Sequence, residues 1–367
     1  VKSSKLVHPI QIHSKRRLVL FLVVVGIALK IAVGYFSVTK IPAVHDKFAD
    51  IMSFTQTPVP YKQAPSSFEL PAAKWVPQTF NNCGPAATAM VLQYFGYNIS
   101  QQETKAKLRT NSDDKNVFIS EISSYIKNNY NVDNKVLFNG DLKTIKTLVA
   151  NGIPVVVEDF LHPNEDIGHV LIIRGYNDSQ SVLIADDSYF GVGQKYSYTT
   201  WDETQWKPYN REFMPVYTRE KEDLVKSIIG GNWSENKMYQ NSVAKNQKDV
   251  DQNSNDMYAW FNLGVSYFHL GQYQNAKEAF EKSQSIGWPH RMLWYFQEPV
   301  ENYNKLGEWQ KAIDTANLGM WYNDNYAEMH YQKYIAYKGL GENANAEAEL
   351  QKAILLDSKI SESYQSN

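Results

Sequence analysis

The chain has one cysteine, in the stretch Gln78-Thr-Phe-Asn-Asn-Cys83-Gly84-Pro85-Ala86-Ala87. A sulfur nucleophile must be ionised near neutral pH. A helix N-terminus favours the anion, because its unpaired N–H groups and macrodipole carry positive charge. The Gly-Pro pair, followed by good helix formers, predicts a helix starting at this cysteine, since proline is tolerated in a first turn. Gly84 leaves room beside the sulfur for a substrate backbone. Gln78, just upstream, can donate an amide N–H to the oxyanion that forms when a thiolate attacks a carbonyl. Inert burial in a core helix is the competing fate of a free cysteine. A lone thiol makes neither an intramolecular disulfide nor a multi-cysteine zinc site.

A cysteine nucleophile needs a base, and the base needs a third group to hold it. Two histidines follow within the next hundred residues. His162 precedes Pro163 in a polar stretch and reads as an exposed loop residue. His169 follows Gly168 and opens an apolar run, where a sheet would hold its ring rigidly. The next apolar run ends in Asp186-Asp187-Ser188-Tyr189. If the two runs form a hairpin, that end returns beside His169. Adjacent strand residues point to opposite faces, so only one of the two aspartates should reach the imidazole. Glu158-Asp159 and Glu165-Asp166 are read as a solvated loop near the site; their spacing is not that of an EF-hand.

The elements that must position these groups form an α+β pattern over 75–218. Helical periodicity covers 84–95, 119–128 and 142–151, and short β-rich runs cover 153–158, 169–176, 181–185 and 212–217. The polar turn 177–180 makes 169–176 and 181–187 a hairpin. Within this frame the Cys-Gly-Pro-Ala helix, the Gly-His strand and the aspartate one hairpin later resemble the papain-like cysteine peptidases of family 39. That is the double-glycine, bacteriocin-leader-processing group and its stand-alone relatives. The resemblance spans 75–217. It implies a papain-like fold and peptide-bond hydrolysis through an acyl-thioenzyme, with no cofactor and no metal. It puts Cys83 in the nucleophile's place, His169 in the base's and Asp187 in the orienting carboxylate's, with Asp186 as the fallback. Gln78 takes the oxyanion position one residue closer to the cysteine than the family usually has it; Asn82 or a backbone N–H is the alternative donor. No Gly-x4-Gly-Lys-Ser/Thr occurs, so the sequence carries no ATP-binding cassette.

The flanks are of different character. Residues 18–36 are 19 in number with one charge, Lys30, long enough to span a bilayer core as a helix. Lys15, Arg16 and Arg17 stand just before them and would stay cytoplasmic by the positive-inside rule. The reading is a basic cytoplasmic segment (1–17), a transmembrane signal anchor (18–36) and a Pro-rich tether (37–74). A peptidase domain (75–218) would then lie on the extracytoplasmic side of the cell membrane. A cleaved signal peptide is the alternative. Residues 1–47 hold eight Lys/Arg and one acid, Asp46, against a net charge of −2 for the whole chain; basic charge beside an apolar run indicates a membrane rather than nucleic acid.

After a linker and capping helix (219–255), residues 256–360 turn purely helical and repeat. Trp260, Leu263, Gly264, Tyr267, Ala276 and Phe280 resemble the tetratricopeptide template. Leu-Gly turns recur at Gly271, Gly307 and Gly341, and Ala276, Ala312 and Ala346 each sit five residues later. The expected protein has an α+β papain-like cysteine peptidase domain plus an all-α solenoid of about three tetratricopeptide repeats. Its expected activity is peptide hydrolysis through Cys83, His169 and Asp187, with the repeats binding a protein or peptide. An inactive papain-like scaffold and a papain-like acyltransferase or amidase are the alternatives.

Overall fold

The computed structural model describes residues 58–109, 111, 113 and 117–360. The expected anchor (18–36) and its basic lead (1–17) lie outside the described residues. Among those described, no helix is long and apolar enough to cross a membrane.

The α+β part is built on one antiparallel sheet. Its strands are β1 (Ser67–Glu69), β2 (Asp133–Asn134), β3 (Val155–Phe160), β4 (Gly168–Asn177), β5 (Val182–Asp187), β6 (Gly191–Ser197) and β7 (Phe213–Tyr217). The order is β2-β7-β3-β4-β5-β6, with β1 pairing the far end of β4. Period-two alternation divides β3 and β4 between two cores. Val155, Val157, Leu171 and Ile173 face helix Leu142–Ala150, where Ile145, Leu148 and Val149 are buried. Val156, Val170 and Ile172 face the other way, onto Met90 and Val91 of α1 (Cys83–Gln93). α1 is therefore clamped flat on one face of the sheet, with its N-terminus at the β3–β4 edge of the cleft described below.

Two readings need correction. Residues 58–74 are not a free tether: β1 pairs Phe68 with Tyr176, and the Ala73 N–H donates to Asp186 Oδ2 at 2.8 Å. A three-residue strand has too little pattern to be read locally, because its partner lies more than a hundred residues away. The acidic pair Glu158-Asp159 is not a solvated loop either. Both residues belong to β3, with Glu158 8% exposed and Asp159 fully buried.

Beyond the sheet, the 219–255 segment folds as helices Glu222–Ile229 and Glu235–Gln252, the second packing on the first repeat helix. Three helix pairs follow: Met257–His269 with Tyr273–Ile286, Glu298–Leu306 with Trp309–Gly319, and Ala327–Leu340 with Asn343–Leu356. Gly271, Gly307 and Gly341 all take positive φ in the turns between paired helices, which is the conformation that favours glycine there. Ala276, Ala312 and Ala346 are buried where paired helices approach. Gly264 serves the same closeness, since a Cβ there would lie 2.4 Å from ring carbons of Phe280. A Gly264→Ala substitution should therefore destabilise the repeat module by about 1–3 kcal/mol through overpacking. Thermal melting followed by far-UV circular dichroism reads this directly, and an unchanged melt would mean that the helix pair yields.

Candidate active site

Cys83 is the first residue of α1, and the Ala86 N–H closes the first helical bond onto the Asn82 carbonyl. The loop before it is held from α2 (Gln101–Leu108). Gln101 Oε1 accepts from the Thr79 N–H at 2.9 Å and its Nε2 donates to the Pro77 carbonyl at 2.8 Å. Arg109, just past α2, donates to Asn82 Oδ1 at 2.6 Å and to the Asn81 carbonyl at 3.0 Å. Asn82 also donates to Thr79 Oγ1, so its amide is engaged in the loop and turned to structural use. α2 escaped the sequence reading, although its Ser100-x-x-Glu103 capping box is a local signal that could have found it.

His169 opens β4 and is almost wholly buried. The register pairs Leu171 with Asp187 and Ile172 with Asp186. Asp187 thus shares the face of Leu171 and His169, and Asp186 takes the opposite face. Accordingly, His169 Nε2 lies 3.0 Å from Asp187 Oδ1. The pair is electrostatic rather than well aligned, as Nε2 has no partner on its hydrogen-bond axis. Asp187 is held independently of the imidazole. Oδ1 accepts from the N–H groups of Tyr189 (2.6 Å) and Phe190 (3.0 Å), and Oδ2 accepts from the Tyr196 hydroxyl (2.7 Å). Asp186 on the other face binds Arg174 Nε at 2.7 Å and the Tyr94 hydroxyl at 3.0 Å, away from the histidine.

With Nε2 3.0 Å from Asp187, Nδ1 is the ring nitrogen left for the sulfur, and the imidazole is electrostatically coupled to the Cys83 thiol. Burial alone would raise the thiol pKa. The His169 imidazole outweighs it, helped by the Val170 and Gly84 N–H groups, and holds the thiol below its ordinary value. Burial would likewise lower the imidazole pKa, but Asp187 and the sulfur push it up to about 10. Asp187 is raised by burial and brought below the usual carboxylate range by His169, Tyr196 and the Phe190 N–H. The charge-separated state, thiolate with imidazolium, is the one this geometry favours.

Gln78 is tied to the residue after Asp187: its N–H donates to the Ser188 carbonyl at 2.9 Å, and its Oε1 accepts from Ser188 Oγ at 2.8 Å. Ser188 thereby fixes which way the Gln78 amide turns, leaving Nε2 as the free end. Among the described residues, no group of three His, Cys, Asp or Glu is placed to hold a metal ion.

Cys83 opens into a cleft of about 400 Å³. One wall is Gly84, Val117, Gly168 and Val170; the other comes from the helical repeats, with Trp294, Tyr295, Tyr322 and Tyr326. The two walls are stitched together. The Tyr295 hydroxyl accepts from the Gly168 N–H at 2.6 Å and donates to the Asp166 carbonyl at 3.0 Å. Arg291 pairs with the Asp166 carboxylate at 2.5 Å. A Cβ at Gly168 would lie 2.6 Å from both the Tyr209 hydroxyl and a Tyr295 ring carbon, so only glycine lets the repeats approach this close to His169.

An antiparallel sheet with a cysteine-bearing helix clamped to one face, and a His–Asp pair at its edge, has the architecture of a cysteine-peptidase-like domain. Residues 59–214 match the model of the Peptidase_C39 like family and residues 258–286 that of the tetratricopeptide repeat. The chain therefore carries a C39-peptidase-like domain followed by tetratricopeptide-type helices. One similar solved structure is the peptidase domain of Streptococcus ComA, a bi-functional ABC transporter involved in a quorum-sensing pathway. It is 18% identical over 40% of this chain and 99% of that one, with a TM-score of 0.32. Another is a double glycine motif protease from an AMS/PCAT transporter, in complex with the leader peptide: 15% identity, 44% of this chain, 97% of that one, TM-score 0.29. MamA from Desulfovibrio magneticus RS-1 is 20% identical over 33% of this chain and 67% of that one, with a TM-score of 0.31. Overall similarity at this level carries no functional weight. No curated protein matches the chain.

Proposed function

We propose that the chain is a papain-like cysteine peptidase whose substrate lies between the sheet domain and the repeats. The observation that carries this reading is the placement of His169 between the Cys83 thiol and Asp187. The Cys83 thiolate adds to a peptide carbonyl, and the resulting oxyanion takes N–H donors from the Cys83 backbone and from Gln78 Nε2. The His169 imidazolium gives its proton to the leaving amine as the C–N bond breaks, leaving a thioester. Water then attacks with His169 as base, releasing the acid and restoring the thiol. Asp187 acts through His169, fixing its orientation and stabilising the imidazolium.

The repeats supply the far wall of the cleft, so they take part in peptide recognition at the site itself as well as offering a concave face to a protein partner. The apolar run 18–36 supports placing the whole assembly on the outer side of a cell membrane, tethered by that segment. Product analysis by mass spectrometry tests the chemistry. Peptide cleavage that disappears in Cys83→Ala is the expected result, and added hydroxylamine should divert part of the acyl group to hydroxamate. Transfer to the amine with no hydrolysis would make the protein an acyltransferase, and absence of both would leave it a scaffold.

A further inference from the structure

Beside the cleft lies a second cavity of about 450 Å³, lined by Glu158 of β3, Glu212 just before β7, residues 135–138, helix Glu235–Gln252 and the repeats. Glu158 and Tyr295 line both, so the two spaces are neighbours with these two side chains between them. β3 and β7 pair Val157 with Phe213, and the register carried one step further sets Glu158 beside Glu212. Each is 8% exposed, and both side chains border the cavity. No hydrogen-bond donor meets either carboxylate among the described residues; Glu158 feels burial, Glu212, Cys83 and Asp159, offset in part by the nearby His169, and Glu212 feels burial and Glu298. Glu235, Glu298 and Glu301 line the same cavity. The cations already there are committed elsewhere. His269 Nε2 pairs with Glu298 at 2.9 Å, and Lys135 Nζ donates to the Trp233 carbonyl at 2.6 Å. Phe118, Phe268 and Phe296 complete the lining with aromatic faces.

Buried carboxylates are normally paired, because an unpaired one forfeits its hydration without return. Two side by side, opening into a space walled by aromatic rings, lack only a positive guest. We propose that this cavity is the subsite for a basic side chain, lysine or arginine, of the peptide held at Cys83. The inference rests on the peptidase reading and names the substrate class it serves. Its chemistry is a protonated amine or guanidinium between the Glu158–Glu212 pair and aromatic rings. Consistent with this, burial and Glu212 raise Glu158 well above the usual carboxylate range, and burial and Glu298 push Glu212 up to about 8. A bound cation would relieve both.

The test uses the full chain at pH 8.5 with butylguanidinium and its neutral isostere butylurea as probes in saturation-transfer NMR. Butylguanidinium should bind at least tenfold more tightly, and the Glu158→Gln/Glu212→Gln double variant should erase the difference. Equal binding of the two probes, or an unaffected double variant, overturns the proposal. Glutamine removes buried charge at constant shape, so a thermal melt at or above the wild-type value is expected; the probe comparison on the wild-type chain decides even if the variant misfolds. Peptidyl chloromethyl ketones carrying lysine or norleucine at each of the three positions before the reactive group then separate a substrate side chain from a free amine. Lysine at one position should alkylate Cys83 tenfold faster or more, whereas equal rates at all three overturn the assignment to substrate. Iodoacetamide reports on the thiol without entering the cavity. If its rate with Cys83 is that of an ordinary thiol, the peptidase reading fails, while the butylguanidinium comparison still judges the cavity.

Discussion

Replacing His169 with alanine should reduce peptide turnover by on the order of 10³-fold or more, since base, proton donor and thiolate stabiliser vanish together. The diagnostic readout is the pH profile of Cys83 alkylation by iodoacetamide. In the wild-type chain His169 holds the thiol pKa below its ordinary value, so the reactive thiolate should persist, and the rate stay near its plateau, below the pH at which an ordinary thiol becomes protonated. The imidazole is pushed up to about 10, so the ion pair should dissolve only on the alkaline side. In His169→Ala the coupling disappears and burial, which raises the thiol, is left. The rate should then climb about tenfold per pH unit up to or beyond the ordinary thiol value of about 8.5. Superimposable profiles for the two proteins would mean that the imidazole does not govern the sulfur, and the peptidase mechanism would be lost with it.

The parts of this site that were legible in the sequence are those carried by local chemistry. Cys83 announces a helix start through Gly84 and Pro85, and the chain does begin α1 there. The polar turn at 177–180 implies the hairpin, and β4 and β5 pair across it. The choice between Asp186 and Asp187 depends on parity across that hairpin. A bulge between Ile173 and Gly175 shifts the register by one, which no local pattern discloses. Glu158 and Asp159 were misread because two acids at the end of an apolar run look like a strand entering solvent; Glu158 is covered by Glu212 and the repeats, and Asp159 by Trp201, whose indole N–H donates to it at 2.6 Å, all distant in sequence. The Gln78–Ser188 tie, the Arg109 bond to the cysteine loop and the repeat wall over the cleft are likewise tertiary facts. The repeats themselves were legible as repeats through Gly264 and the recurring Leu-Gly turns, but nothing in their sequence says which surface they cover.

The two adjacent aspartates should fail in opposite ways when each is replaced by asparagine. Asp187→Asn keeps an oxygen for the Tyr189 and Phe190 N–H groups, which both bond Oδ1, so the turn should survive. It removes the charge 3.0 Å from His169 Nε2, and with it the support for the imidazolium and for the ring's orientation. Turnover should fall by on the order of 10²–10⁴-fold with a modest change in melting. Asp186 serves the fold. Its Oδ1 takes Arg174 Nε at 2.7 Å and the Gly193 N–H at 3.2 Å, while Oδ2 takes the Ala73 N–H at 2.8 Å and the Tyr94 hydroxyl at 3.0 Å. Donors approach both oxygens, so either orientation of an asparagine amide sets N–H against N–H or O–H on one side. Arg174 would also stay buried, joined only to Glu69 and the Leu70 carbonyl. Breaking a buried pair from one side costs about 3–5 kcal/mol, which for a chain of this size is a drop in Tm of roughly 10 °C. It should also loosen residues 69–73, which limited proteolysis would detect as a new cleavage upstream of Cys83. Below its lowered Tm, Asp186→Asn should retain most of its turnover, because Asp187 and His169 lie on the other face of the sheet. The reverse outcome, with Asp186→Asn inactive but stable and Asp187→Asn active, would require the register of β4 and β5 to be offset by one residue, and would move the orienting role to Asp186.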